Sequence, residues 1–251
     1  MHPVLETRAL TIRFGGHVAV DAVSCAFLPG TLTAIVGPNG AGKTTYFNLI
    51  SGQLPATSGQ VLLFGEDLTR ASAPARTRKG LGRAFQLTNL FPGLTVLENV
   101  RLAVQARAGL GLNLFSMWSR HVELIERAEH FLERVALLAR RDALASELSH
   151  GDQRKLEVAM LLALEPEVFM FDEPTAGMSV DEVPVVLELI QEIKAQKDKT
   201  ILLVEHKMDV VRSLADRIVV LHQGALVADG APEEVIASPI VQEAYLGVAH
   251  A

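Results

Sequence analysis

Gly37-Pro38-Asn39-Gly40-Ala41-Gly42-Lys43-Thr44 fits the phosphate-binding pattern GxxxxGK[ST]. The glycines let the backbone curl until successive N–H groups aim at one point, and a helix starting there adds about half a positive charge. An anion held in that curl meets Lys43, suited to the β- and γ-phosphates of a nucleoside triphosphate, and the Thr44 hydroxyl, suited to Mg2+. The flanks supply the setting. Thr31 to Val36 is a short apolar run of the kind that forms a buried strand, and Thr45 to Ile50 continues as a helix that Gly52 can cap. Strand, glycine loop and helix together imply a nucleoside triphosphate site rather than a chance glycine turn.

The loop alone does not separate kinases, GTPases, helicases and transport ATPases. A second cluster narrows the choice. Val168-Phe169-Met170-Phe171-Asp172-Glu173 reads as a buried strand ending in two carboxylates. Asp172, at the tip, suits Mg2+ directly or through water, and Glu173 suits the water that attacks the γ-phosphorus. Phosphoryl transfer needs positioning and charge neutralisation, so one metal-binding acid and one water-positioning acid meet its demands. Upstream, Ser149 is placed as an N-cap with Asp152 three residues on, in a capping-box position, before a helix carrying Leu156, Ala159, Met160 and Ala163 on one face. This is either a well-capped helix or a second anion site. One chain needs one γ-phosphate site, so a second would serve the nucleotide of a partner subunit.

The elements that must position these groups follow in chain order. Leu10 to Phe14 alternates apolar and polar before Gly15-Gly16, and Val18 to Leu28 and Gly59 to Gly65 add further strand material. From Gln86 to about Glu165 helical periodicity takes over, with Val122, Ile125, Leu132, Val135 and Leu138 on one expected apolar face. The uncharged stretch from Ala108 to Ser119 interrupts it, and Glu165-Pro166 closes it. Strands then alternate with helices: Val168–Phe171, a helix from about Val183 to Ala195, Ile201–Val204, a helix from about Met208 to Ala215, and Arg217–Leu221. Gln223-Gly224 turns into Ala225–Ala228, and Pro232 opens a last helical turn. The expectation is an α/β fold: a P-loop NTPase core with a mostly parallel sheet, an N-terminal antiparallel β subdomain and an inserted α-helical subdomain. Its boundaries fall at 1–85 and 166–251 for the core and 86–165 for the helical insertion.

Composition constrains the class. With 251 residues, 49% of them hydrophobic, the chain can bury a large core. No apolar run reaches the roughly 18 residues of a membrane span, and the N-terminus shows no signal-peptide pattern, so a cytoplasmic protein is expected. Cys25 is the single cysteine, which excludes an internal disulfide and a cysteine-based metal site. A net charge of −6 argues against general nucleic-acid binding.

With these residues in place, the chain resembles the ATP-binding subunit of an ABC transporter from about Leu5 to Gly247. Residues Gly37 to Thr45 are similar to the family's Walker A, Asp172-Glu173 to its Walker B, and Ala176-Gly177-Met178-Ser179 to its D-loop. Gln86 matches the Q-loop glutamine, His206 the switch histidine, and Ser149-His150-Gly151-Asp152 stands in for the signature SGGQ. Gly80 to Ala103, Leu202 to Val211 and the ending Ala244 to Gly247 look most like the ATPases of branched-chain amino acid importers. The spacer at 108–119 is similar to the longer of the two paralogues. The resemblance implies ATP and Mg2+, with Thr44, Gln86 and Asp172 at the metal and Glu173, His206 and Gln86 in catalysis. It also implies a second ATPase subunit, identical or paralogous, two membrane permeases, an indirect link to a solute-binding protein, and a location at the inner face of the membrane. Phe14 either stacks on adenine, as the family's aromatic does, or continues the core register of Leu10 and Ile12. Likewise Gln86 is a loop glutamine or the link between Mg2+ and a permease, and His206 a core histidine or a γ-phosphate ligand. Two departures stand out: His150 and Asp152 replace signature glycine and glutamine, and Ser179 replaces the D-loop aspartate. Urea, amide or other uptake, export, and a non-transport ABC ATPase are the alternative functions. A P-loop kinase would need an acceptor site and a lid, and Glu173 with His206 argues against it.

Overall fold

Leu5–Phe14 (β1) and His17–Phe27 (β2) pair antiparallel around the Gly15-Gly16 turn, with Leu5 opposite Phe27 and Phe14 opposite His17. These strands come from a computed structural model that describes residues 2–84, 90–110, 122–239 and 241. Ser58–Leu63 (β4) pairs antiparallel with the other edge of β1 and carries the two-residue strand Glu66–Asp67 (β5), so this sheet runs β2-β1-β4-β5. The second sheet is built on Leu32–Val36 (β3), Val168–Asp172 (β7), Thr200–Val204 (β8) and Arg217–His222 (β9), which are mutually parallel. Every residue of β3, β7 and β8 is buried, as expected of parallel strands covered on both faces. Ala225–Gly230 (β10) returns antiparallel to β9 after the Gln223-Gly224 turn, and Leu81–Ala84 (β6) forms the far edge, giving the order β10-β9-β3-β8-β7-β6. The antiparallel N-terminal sheet and the mostly parallel sheet expected from the sequence are both present.

The chain divides into two compact units, residues 1–81, 167–173 and 194–251 in one and 82–166 with 174–193 in the other. In the first, Lys43–Ser51 (α1) leaves β3, and its buried face of Tyr46, Phe47, Leu49 and Ile50 joins Leu5, Leu10, Phe27, Ile35 and Val204 in one core cluster. The Tyr46 hydroxyl, buried there, meets Thr7 Oγ1 at 2.7 Å. Ala73–Arg78 (α2) supplies Arg76, which is 2% exposed and donates to Leu49 O and Ile50 O at the C-terminus of α1 and to Thr69 O and Ala71 O. A cation over the last carbonyls of a helix satisfies orphan acceptors and suits the dipole. Burial draws the guanidinium below its usual range, with Asp67 opposing the shift. Met208–Leu214 (α7) and Pro232–Ala237 (α8), the latter opened by proline at its first turn, complete this unit.

The second unit holds Val96–Arg107 (α3), Val122–Arg134 (α4), His150–Ala163 (α5) and most of Val183–Ala195 (α6). Thr95 and Glu98 form a reciprocal capping box at the start of α3. The α4 face differs from the expected one. Leu124, Ala128, Phe131 and Leu132 are buried, whereas Val122 is 58% exposed, and Leu138 lies in a short 3-10 turn beyond the helix end. Leu124, Ala128 and Phe131, at i, i+4 and i+7, set this face together with the expected Leu132, and Val135 beyond the helix end is buried as expected. On α5, Leu156, Ala159 and Ala163 are buried as expected and Met160 is half-buried. The spacer from 111 onward and the ending at 244–247 lie outside the described residues, and no described helix is long and apolar enough to cross a membrane.

Replacing Arg76 with methionine keeps much of its stem but removes its donors to four carbonyls, the buried Leu49 O and Ile50 O and the part-buried Thr69 O and Ala71 O. Charged hydrogen bonds are worth about 1.5–3 kcal/mol and orphaned acceptors cost about 1–3 kcal/mol, so Arg76→Met is expected to lose about 2–4 kcal/mol of stability. Urea unfolding checks this, and an unmoved midpoint contradicts it.

Candidate nucleotide site

The register of the parallel strands determines which residues meet. Ile35 lies opposite Val204, and Val204 lies opposite Asp172, so β3, β8 and β7 end side by side. The phosphate loop leaves the first tip, Glu205-His206 the second and Glu173 the third. Ligands of open α/β sheets bind at such carboxyl ends.

Between β3 and α1 the backbone curls tightly. Gly37 has φ 155°, and a Cβ built on it would sit 2.1 Å from Leu221 O. Gly42, the α1 N-cap, has φ 97°, and a Cβ there would sit 2.4 Å from Ala19 O. Only glycine suits either place. Ala41 N donates to Pro38 O at 3.2 Å, while Pro38 is half-buried and Asn39 and Gly40 are exposed at the loop tip. Lys43 folds along the loop, its Nζ donating to Gly37 O at 2.7 Å and Pro38 O at 3.0 Å. Burial pulls this ammonium below the usual lysine range, while the carboxylates of Glu173 and Asp172 act in the opposite direction. Thr44 and Thr45 follow, half-buried, in the first turn of α1.

The two acids occupy different surroundings. Asp172 is 2% exposed at the end of β7. Glu173 has φ 51°, an uncommon conformation for a side-chain-bearing residue, pinned by its N–H donating to Val204 O at 2.9 Å. That conformation turns its carboxylate to His206, with Oε1 2.8 Å from Nε2. The structure therefore joins three expected site residues, Lys43, Glu173 and His206, in one electrostatic neighbourhood, and His206 is no core histidine. It also reveals a residue missed in the sequence. Glu205, almost fully buried, accepts from His206 N at 2.9 Å and Lys207 N at 3.3 Å and so shapes the turn that presents the histidine. An acid between an apolar strand and a histidine was its only signal.

Phe14 is 51% exposed, whereas Leu10 and Ile12 are buried. The core alternation stops before it, because the strand is turning with His17 opposite, so it is not a core aromatic. In the second unit Ser149 caps α5, its Oγ accepting from Asp152 N at 3.1 Å. The capping box is only half formed: the Asp152 carboxylate accepts instead from Lys155 Nζ at 3.0 Å. His150 is exposed in the first helical turn and Gly151 is buried. Gln86 lies outside the described residues.

A phosphate loop on a parallel sheet, an acid pair on a neighbouring strand and a histidine bonded to the second acid define a P-loop nucleotide hydrolase. The sequence profile of the ABC transporter family matches residues 20–176, and that of the branched-chain amino acid ATP-binding cassette transporters matches residues 225–251. The high-affinity branched-chain amino acid transport ATP-binding protein LivG of Escherichia coli K12 is 40% identical over 98% of this chain and 99% of its own length. BraF of Pseudomonas aeruginosa, a transport ATP-binding protein of the same description, is 38% identical over the same shares. A nucleotide-free ATP-binding cassette from an ABC transporter superposes with TM-score 0.83 at 30% identity, covering 98% of this chain and 99% of that one. The ADP conformation of MJ1267, another such cassette, gives 0.83 at 29% identity over 99% and 100%. The chain belongs to the ABC transporter family and is one of its ATPase subunits.

Lys43→Ala removes the only ammonium in the curl. Affinity for ATP is expected to fall at least about tenfold, or about 1.4 kcal/mol, in calorimetry. Retained affinity would contradict the placement of the phosphates.

Proposed function

We propose that the chain is the ATP-hydrolysing subunit of an importer for branched-chain or related hydrophobic amino acids. The Glu173–His206 contact beside Lys43 carries the chemical part of this reading, and the similarity to LivG and BraF supports the solute class. Uptake of another solute, such as urea or an amide, is the second reading, because this subunit does not itself touch the solute.

The chemistry follows from the residues. The phosphates of ATP take backbone N–H groups from the loop after Pro38 and from the first turn of α1, together with the Lys43 ammonium, while Phe14, exposed on the first sheet, offers a face for adenine. Glu173 orients the attacking water and accepts its proton. His206 holds Glu173 in place and reaches the γ-phosphate. The Thr44 hydroxyl and the Asp172 carboxylate are hard oxygen donors that fit Mg2+, and no described cluster of three His, Cys, Asp or Glu competes as a self-sufficient metal cage. With Gln86 they would hold Mg2+, which when bound would supply neutralisation of phosphate charge.

Ser149, His150, Gly151 and Asp152 at the start of α5 complete the site of a second copy, this chain or a close paralogue. ATP then favours the closed pair, since those contacts to the γ-phosphate exist only when it is shut, and hydrolysis removes them. Residues 86–165 form the subdomain that carries the motion to two membrane permeases, which hold the ATPase pair at the cytoplasmic face. Within the second unit an apolar groove of about 360 Å3, lined by Phe91, Leu102, Ala106, Met160 and Leu161, suits an amphipathic segment of such a permease. A solute-binding protein would act through the permeases, and no nucleic acid is involved.

Glu173→Gln is expected to keep ATP binding while lowering turnover about 100-fold or more, the scale of a lost general base. It should also trap the closed pair, seen by gel filtration with ATP. An unchanged hydrolysis rate would remove Glu173 from this role.

A further inference from the structure

Glu182 stands between two segments of the second unit. Its Oε2 accepts from Ser179 N at 3.0 Å and from Ser179 Oγ at 2.9 Å. On its other side the carboxylate lies directly against Gly151: a Cβ built there would fall 2.1 to 2.3 Å from its carboxyl atoms. Its Oε1 is 3.8 Å from Lys155 Nζ, which also donates to Asp152 Oδ1 at 3.0 Å. The Glu182 side chain is 23% exposed, and the Ser179 N–H and hydroxyl hold its carboxyl below the usual range. A chain of contacts therefore runs Ser179, Glu182, Lys155, Asp152, with Gly151 beneath it.

The reach toward α5 is not needed by either local element. Ser149 Oγ already caps α5 through Asp152 N, and the Ser179 turn is already closed by Glu182 N and Val183 N donating to Ser179 O at 3.1 and 3.2 Å. What Glu182 adds is the tie between them. Gly151 permits that tie, since any side chain there would expel the carboxylate. Lys155, shared between Glu182 and Asp152, occupies the Asp152 carboxylate in the same network.

We propose that Glu182 is a positioning residue that fastens the first turn of α5 to the Ser179 turn, so that the α5 start is held firm where it meets the second copy's nucleotide. The proposal rests on the reading that the start of α5 completes that copy's site. A loosened surface misplaces groups that act on the γ-phosphate without touching the chain's own phosphate loop, so the loss belongs in kcat and not in ATP affinity.

The test is steady-state ATP hydrolysis by the full chain across a range of chain and ATP concentrations, with thermal unfolding in parallel. Wild-type turnover per chain is expected to rise with chain concentration. Glu182→Ala is expected to lower kcat about tenfold with KM for ATP changed less than about twofold, the unfolding midpoint falling by the roughly 2–4 °C of a lost cap while the chain stays folded at the assay temperature. Glu182→Gln still accepts from Ser179 and should stay within about threefold of wild type in kcat. An unchanged kcat in Glu182→Ala, a loss accounted for by unfolding at the assay temperature, or Glu182→Gln as poor as Glu182→Ala overturns the proposal. Wild-type turnover independent of chain concentration instead overturns the reading that a second copy of this same chain completes the site.

Discussion

Because β8 is hydrogen-bonded in parallel to β3 on one side and to β7 on the other, Ile35, Val204 and Asp172 lie across from one another at a single sheet edge. Segments about 130 and 30 residues apart in sequence thus deliver the phosphate loop, the acid pair and the histidine to one place. A one-residue slip of β7 would turn Asp172 from one face to the other and take Glu173 out of reach of Val204 O. The full burial of β7 and β8, apolar except for Thr200 and Asp172 at their ends, resists such a slip, since any shift moves polar tips into the core.

The same edge concentrates charge under partial burial. Lys43 is costly to hold there, and the structure offsets the cost with two loop carbonyls and the field of Asp172 and Glu173. Glu173 bears backbone strain for its aim at His206, and Glu205 supports the histidine from below. Strain of this kind persists only where neighbouring contacts over-determine it.

Away from this edge, two polar clamps do mechanical service. Arg76 closes the far end of α1 and so fixes the helix whose N-terminus carries the glycine loop. In the second unit Asp152 and Ser179, two of the three positions at which the chain departs from its family's pattern, are each bonded into one network through Lys155 and Glu182. The acid at 152 is therefore occupied by a cation of its own helix, which lessens its repulsion toward a phosphate.

The sequence alone determined the fold class, the phosphate loop, the order of strands and helices, and the identity of Asp172, Glu173 and His206 as candidates. These rest on short-range rules: glycines where φ must be positive, apolar runs of strand length, an acid pair directly after such a run. Tertiary structure alone decided that Phe14 leaves the core, that α4 buries Leu124 and Phe131 rather than Val122, and that Asp152 pairs with Lys155 instead of closing a capping box. It alone revealed that Arg76 reaches Leu49 O and Ile50 O, that Glu182 lies against Gly151 and that Glu205 is buried, because burial and partners far apart along the chain are chosen by packing, which spacing does not encode.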